Sequence, residues 1–174
     1  MPHAIQPDGL SINLLPYQLQ GLQWLLEHES PVLPENMDQS VQFWKRSSVR
    51  SGAYINTATM FSQNEPPHLA SGGILADDMG LGKTVQMIGL MLSDSERHNE
   101  SQQEESGTLI VAPLSVMSNW EQQIEAHIQP ERALKVHRFH GAGKGKKAEL
   151  NSFDVVITSY GKYSIATRRK IGLM

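Results

Sequence analysis

Gly80, Gly82, Lys83 and Thr84 stand close together in the segment GGILADDMGLGKT, Gly72 to Thr84. A loop whose backbone N–H groups must close around an anion needs residues without a Cβ, and Gly80 and Gly82 supply them. Lys83 is placed to reach the β- and γ-phosphates of a nucleoside triphosphate, and Thr84 to set its hydroxyl on a bound Mg²⁺. Gly-Lys-Thr alone is a weak signal. Here an apolar run, Gly73-Ile74-Leu75-Ala76, precedes it, and Val85 to Leu92, apolar nearly all round, follows it. That order of strand, turn and helix is what a phosphate loop requires, because the helix then aims its N-terminal dipole and free N–H groups at the anion. A helix start with a chance Gly-Lys-Thr is the bland alternative, and it leaves the order unexplained. One residue departs from the general pattern G-x-x-x-x-G-K-[ST]: Asp77 stands where that pattern asks for Gly.

Other elements must hold this loop. Residues 14–29 (LLPYQLQGLQWLLEHE) predict a helix, with Pro16 in its first turn and Leu19, Leu22, Leu25 and Leu26 on one face. Residues 30–71 hold Pro31, Pro34, Pro66 and Pro67 and no long period. They predict a long connection with one short ordered piece around Val41-Gln42-Phe43-Trp44. Residues 93–107 are polar and acidic and predict a solvated loop. Thr108 to Ala112 is a β-branched run without alternation, the pattern of a strand covered on both faces.

Ser115 to Ile128 predicts a helix with Val116, Trp120, Ile124 and Ile128 four apart. Either Ser115 caps it, or Ser118 and Glu121 form a capping box. Val136 to His140 and Asp154 to Tyr160 predict two further strands. Strands alternating with helices argue for a parallel α/β sheet with right-handed crossovers. Trp24 and Trp120 lie on apolar helix faces and are expected in the core, and Met79 is expected to pack the base of the loop. Gly141 to Lys147 (GAGKGKK) lacks the flanking strand and helix of a phosphate loop. It reads as a basic surface loop, with a DNA-backbone contact as the alternative.

Composition narrows the function classes. The 174 residues fit one domain at about 150 residues per domain. The chain has no cysteine, so disulfide frameworks and Cys-based metal sites are excluded. Its seven histidines show no metal-ligand spacing. No apolar stretch reaches membrane-spanning length, and the first residues lack the basic and apolar regions of a signal peptide, so no membrane partner and an intracellular location are expected. The net charge of −3 is unlike a dedicated DNA-binding module, so any nucleic-acid role must come from motifs.

The motifs do carry one. Asp77-Asp78-Met79-Gly80-Leu81-Gly82-Lys83-Thr84 closely resembles motif I of the Swi/Snf family of helicase-like, DNA-dependent ATPases, in which an acidic pair replaces the first Gly. Leu15-Pro16-Tyr17-Gln18, with Gly21 and Trp24, resembles that family's upstream adenine-reading motif. Leu109 to Trp120 resembles motif Ia, and Asp154 to Tyr160 motif Ib. The long segment before Gly72, with Phe43-Trp44-Lys45, resembles the branch of helicase-like transcription factor and the fungal RING-bearing post-replication repair translocases.

The resemblance implies an α/β, RecA-like P-loop lobe: a parallel sheet with helices on both faces, truncated after motif Ib. Residues 1–13 would be a tail, and 14–174 a partial helicase ATP-binding domain with 30–71 as an insert. ATP and Mg²⁺ would be bound by Gln18, Asp77, Asp78, Met79, Gly80, Leu81, Gly82, Lys83 and Thr84, with Gln18 reading the adenine edge and Lys83 and Thr84 catalytic. Pro113, Leu114, Ser115, Ser159 and Tyr160 would face double-stranded DNA, through hydroxyls and backbone N–H groups that bind phosphate without high net charge. Nucleosomes or replication-fork factors are the wider partners implied, and the nucleus the location, for which Arg168-Arg169-Lys170 is a weak import signal.

The family's Asp-Glu-x-His motif, which holds Mg²⁺ and positions the attacking water, does not occur in the sequence, and Ala166 to Met174 does not resemble the family. The expectation is a chain that binds ATP without turning it over. A non-catalytic nucleotide- or DNA-binding fragment is the alternative. An unrelated P-loop kinase is a third reading, against which Asp77 and the Gln18 motif argue.

Overall fold

The computed structural model describes residues 2–101, 107–140, 150 and 152–161, with side chains described to Ser93 in the first stretch. The GAGKGKK segment and Ala166 to Met174 lie outside the described residues.

Helix α1, Pro16–Glu29, begins where the sequence places it. Pro16 takes the first helical position, where its missing N–H is no loss, and the Gln18 side chain accepts a hydrogen bond from the Leu15 N–H at 2.9 Å. Gln18, Leu22 and Leu25 are buried on one face, with Leu19 and Leu26 packed at its border. That face meets helix α2, Lys83–Ser101, whose Val85, Ile88, Leu90, Met91 and Leu92 are buried. The acidic residues after Leu92 therefore continue a helix rather than opening a loop, as far as Ser101.

Segment 30–71 is more ordered than its composition suggests. Strands β1 (Trp44–Arg46), β2 (Tyr54–Asn56) and β3 (Ser62–Gln63) form an antiparallel sheet. The Arg46 guanidinium lies over the Tyr54 ring at 4.4 Å and donates to the Pro34 carbonyl at 3.0 Å, which ties the sheet to its own entry segment. Residues 2–13 are likewise packed rather than a tail. Ala4, Pro7, Leu10 and Leu14 are buried, Leu10 bridges to Ile128, and the Ser11 N–H donates to the His127 carbonyl at 2.8 Å.

Strands β4 (Thr108–Val111), β5 (Val136–Phe139) and β6 (Val155–Thr158) form the expected parallel sheet in the order β4-β6-β5. Helix α3, Leu114–His127, connects β4 toward β5 and packs on β6. The central strand β6 buries Val155, Ile157 and Thr158. Edge strand β4 is less covered than its apolar run implies: Ile110 is buried, but Leu109 is 51% exposed.

In α3, Met117 and Ile124 are the buried positions, and Val116 points outward. Pro113 takes the cap position without a side-chain bond, so Ser115 is not the cap and sits in the first turn. Trp24 and Trp120 lie where expected, packed against the main core.

The run Gly73–Ala76 forms no ladder, and Ile74 is 85% exposed. A strand exists only through a hydrogen-bonded neighbour, and among the described residues none pairs with this run. It is held instead from the side, where Gly73 lies against the Trp24 ring so closely that a Cβ would overlap it.

Candidate nucleotide site and strand-end surface

The loop from Asp77 to Gly82 is exposed as far as Leu81 and leads directly into α2. Gly80 and Gly82 adopt left-handed backbone, with φ of +88° and +80°, a region where an L side chain is strained. Their φ values curl the loop back over the first turn of α2. Lys83, the first residue of that helix, folds into the loop. Its ammonium donates to the Asp77 carbonyl at 2.7 Å and to the Asp78 carbonyl at 2.9 Å. A cation that any phosphate would attract therefore sits at the mouth of a ring of main chain. Thr84 follows, half-buried in the helix's first turn.

Helix α1 clamps the loop from one side. Gln18, 9% exposed, donates through Nε2 to the Leu81 carbonyl at 3.1 Å while its Oε1 is held by the Leu15 N–H. The Tyr17 hydroxyl donates to the same Leu81 carbonyl at 3.3 Å. Gly82 is required twice over. Its φ is left-handed, and a Cβ there would run into the Gln18 amide nitrogen. Each end of the Gln18 amide is thus engaged once within the protein. Met79 does not pack the loop base. It is 96% exposed at the tip, because the turn through Gly80 directs it away from α1 and α2.

One residue at this site, Gln86, escapes a reading by motif alone. Gln86 is fully buried and donates to the Asp77 carboxylate at 3.4 Å, and Gly21 of α1 lies against its other amide end. The available signal was a lone polar residue in the apolar stretch Val85 to Leu92.

The second set of expected residues gathers at the carboxyl ends of β4 and β6. Val111 and Thr158 are register partners, and the Ala112 N–H donates to the Thr158 carbonyl at 2.9 Å. Pro113, Leu114 and Ser115 therefore leave the sheet beside Ser159 and Tyr160. Pro113, Leu114, Ser115 and Tyr160 are exposed, and the Ser159 hydroxyl lies 3.4 Å from His140 Nδ1. In open parallel sheets this edge is where ligands bind. No group of three or more His, Asp or Glu side chains positioned to hold a metal occurs among the described residues.

Residues 17–171 match the SNF2-related domain family. The chain belongs to that family. This SNF2-related chain is 29% identical over 197 residues to the DNA repair protein RAD5B of Arabidopsis thaliana, covering 94% of the chain and 15% of the relative. It is 39% identical over 93 residues to human helicase-like transcription factor, covering 53% of the chain and 8% of that protein. Among solved structures it resembles the Sulfolobus solfataricus SWI2/SNF2 ATPase core in complex with dsDNA, with a TM-score of 0.54 and 25% identity, covering 92% of this chain and 24% of that one. The SNF2-related chain thus spans less than a quarter of each of these proteins. The RecA-like fold and the placement beside helicase-like transcription factor both agree with the reading of the motifs.

Proposed function

We propose that this chain is the ATP-binding part of an ATP-dependent double-stranded DNA translocase of the chromatin-remodelling or DNA-repair kind, working in the nucleus. The observation that carries the reading is the Lys83 ammonium resting on the Asp77 and Asp78 carbonyls inside a loop turned by two left-handed glycines. In that position the lysine needs only to exchange two neutral carbonyl oxygens for phosphate oxygens, which are charged and stronger acceptors.

Asp77, Asp78, Met79, Gly80, Leu81 and Gly82 then present main chain to the phosphates, and the start of α2 adds its free N–H groups and dipole. Gln18 presents its remaining N–H and lone pair to the adenine edge. The donor set suits magnesium, because Thr84 offers a hard hydroxyl oxygen at the helix start beside the lysine. A bound ion there would supply positive charge to offset that of the phosphates. Pro113, Leu114, Ser115, Ser159 and Tyr160 would meet the DNA backbone. That role is supported by their shared edge and by the dsDNA bound to the Sulfolobus core. Nucleosomes and replication-fork factors are the wider partners this reading admits.

The sequence contains no Asp-Glu-x-His segment to position an attacking water. The 174-residue polypeptide by itself is therefore expected to bind nucleotide without turnover. Phosphate release from the purified chain, with and without double-stranded DNA, tests this. The expected rate is that of the buffer. Robust DNA-stimulated release that disappears in Lys83→Ala would contradict it.

A further inference from the structure

Gln86 has the environment of a core residue and the chemistry of a surface one. It is 0% exposed, on a helix otherwise buried through Val85, Ile88, Leu90, Met91 and Leu92. Its amide oxygen makes no hydrogen bond, although it is buried. An unsatisfied buried carbonyl is costly, and a Met or Leu of similar volume would avoid the cost. The polar side chain must therefore be explained by its nitrogen, which donates to Asp77 Oδ2 at 3.4 Å. The direction of the amide is set from α1. Its oxygen lies against Gly21, where a Cβ would overlap it, so the nitrogen is turned to the loop. Asp77 in turn offers its backbone carbonyl to the Lys83 ammonium at 2.7 Å. The Gln86 backbone is fixed independently by its bond to the Gly82 carbonyl at 3.1 Å.

We propose that Gln86 is a positioning residue for nucleotide binding: seated against Gly21, its buried amide holds the Asp77 carboxylate and thereby fixes the stretch of main chain on which Lys83 rests. This deepens, and rests on, the reading of the loop as an ATP site. It explains why an acidic residue stands at position 77 where the general phosphate-loop pattern has Gly. The carboxylate gives a core amide something to grip, and the loop is anchored from beneath rather than left to glycine alone. It also makes Gly21 part of the site, although Gly21 touches no ligand.

A double-mutant cycle reads this directly. The full 174-residue chain is titrated with a fluorescent ATP analogue and Mg²⁺, as wild type and as Gln86→Met, Gly21→Ala, Asp77→Ala and the two doubles with Asp77→Ala. Gln86→Met is expected to weaken binding about tenfold, the scale of a lost bond to a charged group. Gly21→Ala, on a different helix, should weaken it about threefold by pushing the amide off Asp77, on the lower part of the same scale. In the Asp77→Ala background neither substitution should change affinity by more than about twofold, because distant effects that share one intermediary do not add. A filler that acted only on the core would lower affinity equally in both backgrounds, and that result overturns the proposal. Gly21→Ala carries the same test if Gln86→Met melts below the assay temperature. A Lys83-dependent signal indifferent to both substitutions overturns the positioning role alone. A signal that survives Lys83→Ala overturns the ATP site with it.

Discussion

The two regions proposed to face ligands are built in opposite ways. At the Asp77–Gly82 loop, side chains from two helices hold the chain: Tyr17 and Gln18 hold the Leu81 carbonyl, Lys83 holds those of Asp77 and Asp78, and Gln86 holds the Asp77 carboxylate. Behind them stand the buried faces of α1 and α2. At the strand ends, Pro113, Leu114, Ser115 and Tyr160 lie open, and the Ser159–His140 contact is exposed to solvent. The difference matches the two proposed tasks. A triphosphate is small and needs donors fixed within fractions of an ångström. A DNA backbone is a long repeating anion that many loosely held donors can follow, with affinity shared among them.

Substitutions should separate the two ends by size of effect. Gly82→Val should be the most damaging, since it forces a β-branched residue to φ +80° and drives its side chain into Gln18. Nucleotide affinity should fall by about 100-fold or more, about 2.7 kcal/mol, with a lower melting temperature measured in parallel. Gln18→Ala should weaken ATP about tenfold, the scale of a buried bond lost with a partner left unsatisfied. The preference for ATP over GTP, measured by competition, should narrow at the same time. If GTP and ATP lose equally, Gln18 serves the loop and not the base.

At the other end, Ser115→Ala combined with Tyr160→Ala should weaken binding to a short DNA duplex by about two- to threefold, as expected when a few contacts among many are lost. Nucleotide affinity should not move. A larger loss at the strand ends than at the loop would reverse the comparison. Tyr17→Phe should be the smallest change, less than about twofold in ATP affinity, because its hydroxyl bond is exposed and Gln18 holds the same carbonyl.

The glycine-turned loop leading into α2 was legible because its requirements are local. Two glycines, a lysine and the start of a helix are contiguous, so spacing alone fixes the arrangement. Strands β4 and β6 were legible because apolar β-branched runs mark them, and β5 through a weak alternation. What escaped depends on distant partners. Ala4, Pro7 and Leu10 are too few to show a period, yet α1, α2 and the end of α3 cover them. Strands β1 to β3 are two or three residues long, shorter than any alternation can reveal, and exist through their register with one another. Gly73–Ala76 shows the converse: a strand-like run that finds no neighbour among the described residues. Met79 was misplaced because burial at a loop tip is set by the turn beneath it, here through Gly80.

Titration of the purified chain with a fluorescent ATP analogue and Mg²⁺, for wild type and Lys83→Ala, tests the central claim most directly. Saturable binding in the wild type, weakened by about 100-fold in Lys83→Ala (about 2.7 kcal/mol) with an unchanged melting temperature, is the predicted result. Equal binding by the two proteins, or none by either, would contradict the assignment of this loop to a triphosphate.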